Sequence, residues 1–202
     1  MESFYPIFIA FTFIFVSELG DKTQLLVLSF SGKQKTITIL LGVAMGSLLS
    51  HGVAIMFGSS IGLVENFYIS EMLKIVTYIS FFIFGILSIF SNKENTEKES
   101  KKNIIEKIAS SKLNYIIVIA LTIAIGELGD KTFLASIGLG IQYPNYKLHL
   151  VIGAILGMVI SDSIAIVLGK FLRTKISERA MEKLSGVIFI MFGVVGLISH
   201  FI

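Results

Sequence analysis

The sequence predicts an all-α polytopic membrane protein, with six transmembrane helices arranged as two inverted three-helix repeats. Three observations predict it. The 202 residues are 54% hydrophobic and only 15% charged, with a mean hydropathy of +0.84, whereas a soluble domain carries about 25% charged residues. Six apolar runs are each long enough to cross a bilayer, which takes about 20 residues. A block of sequence also occurs twice, once in each half.

In chain order the apolar runs are 4–30, 36–60, 72–91, 113–140, 147–171 and 184–202. The first begins Phe4-Tyr5-Pro6 without the basic stretch of a secretory signal, so it reads as a retained helix. Residues 92–112 break the pattern. Lys93, Glu94, Glu97, Lys98, Glu99, Lys101, Lys102, Glu106, Lys107 and Lys112 make this a charged linker between a first repeat, 1–91, and a second, 113–202. With no cysteine, disulfides, thiolate metal sites and a cysteine nucleophile are excluded. The seven Met are scattered, which argues against copper handling, and no phosphate-binding glycine loop or nucleic-acid surface is present.

The basic residues orient the chain. Lys33 and Lys35, the six linker lysines, and Lys170, Arg173, Lys175, Arg179 and Lys183 fall on one side of the predicted membrane, with Lys74 and Lys147 on the other. Short basic loops stay in the cytoplasm. The linker is therefore expected to be cytoplasmic and both termini outside. Three helices per half then insert the two halves upside down relative to each other.

The halves are also copies. Glu18-Leu19-Gly20-Asp21-Lys22-Thr23 recurs as Glu127-Leu128-Gly129-Asp130-Lys131-Thr132. Gly42-x-x-x-Gly46 and Ser50 recur as Gly153-x-x-x-Gly157 and Ser161, and Phe84-Gly85 recurs as Phe192-Gly193. Inverted repeats are a signature of secondary transporters, whose sites lie near the midplane between repeats. The glycine pairs, with Gly58-x-x-x-Gly62, read as faces for close helix packing.

Five acids lie inside apolar runs: Glu18, Asp21, Glu127, Asp130 and Asp162, including every Asp in the chain. Each costs roughly 2.5–3.5 kcal/mol to insert at the bilayer centre. Unless paired, protonated or bound to a cation, together they would oppose insertion. On a continuous helix Glu18 and Asp21 share a face, and Glu18 and Lys22 have ion-pair spacing, as do Glu127 and Lys131. Convergence of the two motifs would gather four carboxylates and two ammoniums, a balance suited to one divalent cation or two protons. Thr23, Thr132 and Gln24 add oxygen donors. Such a cage suits hard cations such as Mn²⁺, Ca²⁺ or Mg²⁺. Gly20 and Gly129 allow close backbone approach or a local helix break. The plainer alternative is that each Glu–Lys pair is a static structural ion pair; two acids in each of two identical blocks favour a site. Lys22 and Lys131 would then either tune the carboxylates or snorkel. His51 and Asp162 occupy equivalent positions of the two repeats and form a candidate proton relay.

These two E-L-G-D-K-T blocks resemble the E-x-G-D-K/R-T/S motifs of the cation exchanger family that includes bacterial manganese exporters and the Golgi transmembrane protein 165. The resemblance spans nearly the whole chain. It implies export of Mn²⁺ and Ca²⁺ from the cytosol in exchange for protons, with Glu18, Asp21, Glu127 and Asp130 as metal-binding acids and no resident cofactor. The short linker implies a compact prokaryotic-style member in the inner membrane. The resemblance favours Mn²⁺, while the donor types suit Mn²⁺ and Ca²⁺ alike. Rival readings are a passive cation channel, an amino-acid exporter and an intramembrane aspartyl protease using Asp21 and Asp130. The protease pattern G-x-G-D is absent, since Glu-Leu precedes each Gly-Asp step.

The orientation is directly testable, because the chain has no native cysteine. A cysteine replacing Lys98 is expected to react with an impermeant maleimide only after the cytoplasmic face is opened. Labelling in intact cells would reverse the assigned topology.

Overall fold

The computed structural model describes residues 4–19, 21–31, 34–64, 67–90, 108, 113–175 and 178–201. Their side chains are included except at 22, 25, 29, 67, 168–175, 178, 179, 181, 182 and 185. Most of the predicted linker, 92–112, lies outside the described residues. Among the described residues all regular structure is helical: α1 (Phe4–Glu18), α2 (Lys22–Ser31), α3 (Thr36–Ser47), α4 (Val53–Gly62), α5 (Phe67–Phe90), α6 (Tyr115–Glu127), α7 (Lys131–Gln142), α8 (Lys147–Lys175) and α9 (Glu178–Phe201). A π turn, Leu48–Gly52, joins α3 to α4 in one continuous rod, Thr36–Gly62, and a 3₁₀ turn, Pro144–Tyr146, leads into α8.

Among the described residues three helices are long and apolar enough to cross a membrane: Thr36–Gly62, Tyr68–Phe90 and Pro144–Val167. Phe4–Glu18, Tyr115–Glu127 and Gly186–Phe201 are shorter apolar helices. The continuous helix expected through each acidic motif is not formed. The runs 4–30 and 113–140 are each two short helices that break at the motif, between Glu18 and Lys22 and between Glu127 and Lys131.

Local sequence accounts for several of these boundaries. Pro6 sits in the first turn of α1, where its missing N–H has no intrahelical partner to lose. Asn114 caps α6, its side chain accepting from the Ile116 N–H at 3.1 Å. The second motif breaks at Gly129, the one described residue with a positive φ, +76°. Backbone of that hand costs other residues about 1–2 kcal/mol.

The helices pack in reciprocal pairs. α1 lies on α8 and α3 lies on α6, so the first helix of each repeat covers the second helix of the other. The glycine pairs sit at these crossings. A Cβ on Gly42 would lie 2.7 Å from the Ile119 side chain, and one on Gly46 2.8 Å from that of Ile123. In the other crossing Gly153 faces Ile7 and Ala10, and a Cβ on Gly157 would lie 2.8 Å from the Phe11 carbonyl oxygen. The partners correspond residue for residue, Ile7 with Ile116 and Ala10 with Ile119. α4 meets α7 backbone to backbone through Gly58, Gly62 and Gly140, and α5 meets α9 through Gly85 and Gly186.

Phe13 of α1 ties this frame to the α5–α9 pair. Its ring stacks on Phe81 at 5.3 Å and meets Phe189 and Phe192 edge-on at 4.7 and 4.9 Å. The outer surface is strongly apolar: Phe8, Met56, Phe57, Leu87, Val167 and Val195 are all exposed, as expected where lipid replaces water.

The packing predicts unequal costs for adding one methyl group. Gly46→Ala and Gly157→Ala should each lose roughly 1–3 kcal/mol by overpacking, read as a lower thermal midpoint in detergent. Gly52→Ala should be neutral or stabilising, since its Cβ is close only to the movable Leu48 side chain, at 3.1 Å, with Val151 in ordinary contact at 3.8 Å, and alanine favours helix. Equal midpoints for all three would show that the glycine crossings do not limit stability.

Candidate metal-binding site

The two helix breaks bring the acidic motifs together in the interior. Glu18 closes α1, Glu127 closes α6, and His51 enters from the π turn. Each offers a donor atom, and these atoms all lie within 4.8 Å of one another. Glu18 and Glu127 are each 1% exposed and His51 is fully buried.

Each carboxylate is held from one side. The Thr132 hydroxyl donates to Glu127 Oε2 at 2.9 Å, and the Thr23 hydroxyl donates to Glu18 Oε2 at 3.3 Å. Thr and Glu are five residues apart in both copies, and the break lets the first residues of the new helix face the last residue of the old one. Thr23 also lies 3.5 Å from Asp21 Oδ2 and is close enough to Glu127 to influence its carboxyl, so the first motif reaches across to the second. The other oxygens, Glu18 Oε1 and Glu127 Oε1, have no hydrogen-bond partner, and neither does His51 Nε2. Unpaired buried polar atoms are costly. Each of the three residues carries one such atom, and donor atoms of all three gather within 4.8 Å, which a cation among them accounts for. Hard cations sit about 2.0–2.6 Å from their donors, so donors on one ion lie up to about 5 Å apart. The observed spacing fits.

The remaining predicted residues surround this core. Asp21 and Asp130 are half-buried and close enough to Glu18 and Glu127 to interact electrostatically. Asp162 is buried on α8, within electrostatic reach of Glu18 and Asp21, with its Oδ2 unpaired. His51 Nδ1 contacts the Ser136 hydroxyl at 3.0 Å, so the equivalent positions of the two repeats serve different surroundings. Gln24 Nε2 donates to Ser161 Oγ at 2.8 Å and links α2 to α8.

The expected Glu127–Lys131 ion pair is absent: Lys131 is half-buried and makes no ion pair among the described residues. The break at Leu128–Asp130 removes the four-residue helical spacing such a pair needs. The end of α1 at Glu18 and the start of α2 at Lys22 likewise remove that spacing in the first motif, and Asp21 lies outside the helix that Glu18 closes. The Lys22 side chain is outside the described residues.

Ser136 was not among the residues the sequence singled out. It is fully buried, holds His51, and donates to the Thr132 carbonyl at 2.9 Å. Its signal was its place four residues after Thr132, on the same helical face.

Apolar helices broken at buried carboxylates define the class of membrane cation carriers. The model of the divalent cation/proton antiporter GDT1 family matches residues 6–96 and 115–202, so the chain belongs to that family. A Vibrio cholerae protein named "Putative manganese exporter" is 27% identical over 91% of this chain and 86% of its own length. The Synechocystis "GDT1-like protein sll0615" is 29% identical over 90% of this chain and 91% of its own. The Schizosaccharomyces pombe "GDT1-like protein C186.05c" is 42% identical over 40% of this chain, which spans only 30% of that longer relative. No solved structure matches the chain.

The break itself can be tested. Nothing lies within 4 Å of a Cβ placed on Gly129, so Gly129→Ala should lose about 1–2 kcal/mol from backbone strain alone. Gly129→Asn should lose less, because Asn tolerates that conformation. Thermal unfolding that ranks alanine level with glycine would mean the left-handed turn is not required.

Proposed function

We propose that the protein exports Mn²⁺ from the cytosol in exchange for protons, with Ca²⁺ as a second substrate. Glu18 and Glu127 form the centre of the site, and Asp21 and Asp130 complete its acidic lining. The observation that carries this reading is the meeting of both motifs around unpaired carboxylate oxygens and the His51 nitrogen. The name of the Vibrio cholerae relative supports manganese as the ion.

In this reading α1–α2 and α6–α7 are each one broken crossing. With α3–α4, α5, α8 and α9 they give six spans in two inverted repeats, with the linker cytoplasmic. The reciprocal α1–α8 and α3–α6 packing supports a two-fold relation between the repeats. Coupling follows from competition. The buried carboxylates neutralise their charge with one divalent cation or with protons, and an empty, charged pocket resists the switch between inward- and outward-open forms. Rocking of one repeat against the other exposes the pocket to each side in turn. Asp162, within electrostatic reach of Asp21 and Glu18, passes protons to the pocket in this reading.

Purified protein in vesicles with an imposed pH gradient provides the test. The wild type should drive Mn²⁺ uphill, which a passive channel does not do. Glu18→Gln and Glu127→Gln should each lower the flux at least about tenfold, and Asp130→Asn, further from the centre, should lower it less. Unchanged metal-driven proton flux in both glutamine variants would rule out the shared site.

A further inference from the structure

We infer that His51 Nε2 is a direct donor to the transported ion, making this a mixed nitrogen–oxygen site that favours a first-row transition metal over Ca²⁺. This inference rests on the cation-carrier reading above and adds the source of its selectivity.

The hydrogen bonds around His51 are consistent with one tautomer in particular. Ser136 Oγ has one proton and donates it to the Thr132 carbonyl oxygen at 2.9 Å. At its 3.0 Å contact with His51 Nδ1 the hydroxyl is therefore the acceptor, so Nδ1 carries the imidazole proton. The lone pair is then on Nε2. That atom is buried, has no hydrogen-bond partner and lies 4.0 Å from Glu127 Oε2, in a residue whose donor atoms group with those of Glu18 and Glu127 within 4.8 Å. A lone pair turned toward two carboxylates is repulsive until a cation separates them. Metal-binding histidines characteristically donate their other ring N–H to a neighbouring acceptor, which fixes the ring and its tautomer; Ser136 has that position here.

The donor type sets the preference. Ca²⁺ takes oxygen ligands in shells of six to eight, whereas imidazole nitrogen suits the first-row transition metals, least strongly Mn²⁺ at the start of their affinity order. The second repeat has Asp162 at the equivalent position, so only one of the two copies brings nitrogen. The pi turn accompanies this difference: it carries His51, while α8 runs as uninterrupted helix through Asp162. The other two histidines are elsewhere, His149 beside Tyr146 at the start of α8 and His200 bonded to Glu71 at the end of α9.

Two measurements on the full-length protein test this. In the first, Mn²⁺ bound to purified wild type is examined by electron spin echo spectroscopy. Nitrogen modulation is expected, and it should vanish in His51→Asp. In the second, Mn²⁺ and Ca²⁺ transport are compared in vesicles, where His51→Asp should lower the Mn²⁺-to-Ca²⁺ ratio by about 10- to 100-fold. Mn²⁺ bound to wild type without nitrogen modulation overturns the inference while leaving the carrier reading intact. An unchanged ratio, or equal loss of both ions with nitrogen modulation retained, also overturns it. A wild type that neither binds nor transports Mn²⁺ overturns the carrier reading, and this inference with it.

Discussion

Two carboxylates held side by side in the interior of an apolar protein are the constraint around which this structure is organised. Burying an ionised carboxylate costs several kcal/mol even after the protein relaxes, and Glu18 and Glu127 are buried together. The nearby threonine hydroxyls recover part of that cost. The helix breaks have a second effect: they leave helix-terminal backbone groups beside the acids instead of a closed hydrogen-bond ladder. Irregular backbone at membrane depth is tolerated where it lines a cavity or is covered by protein, and here the other repeat covers it.

Holding such a pocket requires a stiff surround, and the glycine crossings provide one. Without side chains at Gly42, Gly46, Gly153 and Gly157, helix backbones meet closely across both reciprocal interfaces. In a bilayer, where burying apolar surface against lipid gains little, such close packing is a main source of helix association. The Phe13, Phe81, Phe189 and Phe192 cluster then anchors the α5–α9 pair to α1, the helix that carries Glu18. Frame and pocket are thus joined through single helices rather than through loops.

Much of this was legible in the sequence because it rests on rare residues in an apolar background. An acid or a glycine pair stands out there, and duplication doubles the signal. The acids, the helix-packing faces and the correspondence of the halves could all be read from residue type and spacing. The helix breaks were less legible, since Gly20 and Gly129 fit either a close approach or a break, and treating the motif as continuous helix produced a Glu127–Lys131 ion pair that the break removes. The π turn at His51 has no sequence signature, because it arises from how one stretch of helix accommodates its neighbours. The role of Ser136 was hidden too, as an apolar helix can carry a serine that bonds only to its own backbone, and its contact with His51 depends on the tertiary fold.

The reciprocal packing has a consequence for how the chain is made. α1 is synthesised early, yet the surface that covers it, around Gly153 and Gly157, belongs to α8 and comes late in translation. Until then the faces of α1 and α3 that meet α8 and α6 lack their partners, and Glu18 is made before Glu127, Thr132 or Ser136 exists. The nascent protein therefore cannot mature one half at a time. Its first carboxylate waits, provisionally housed, for the end of the message.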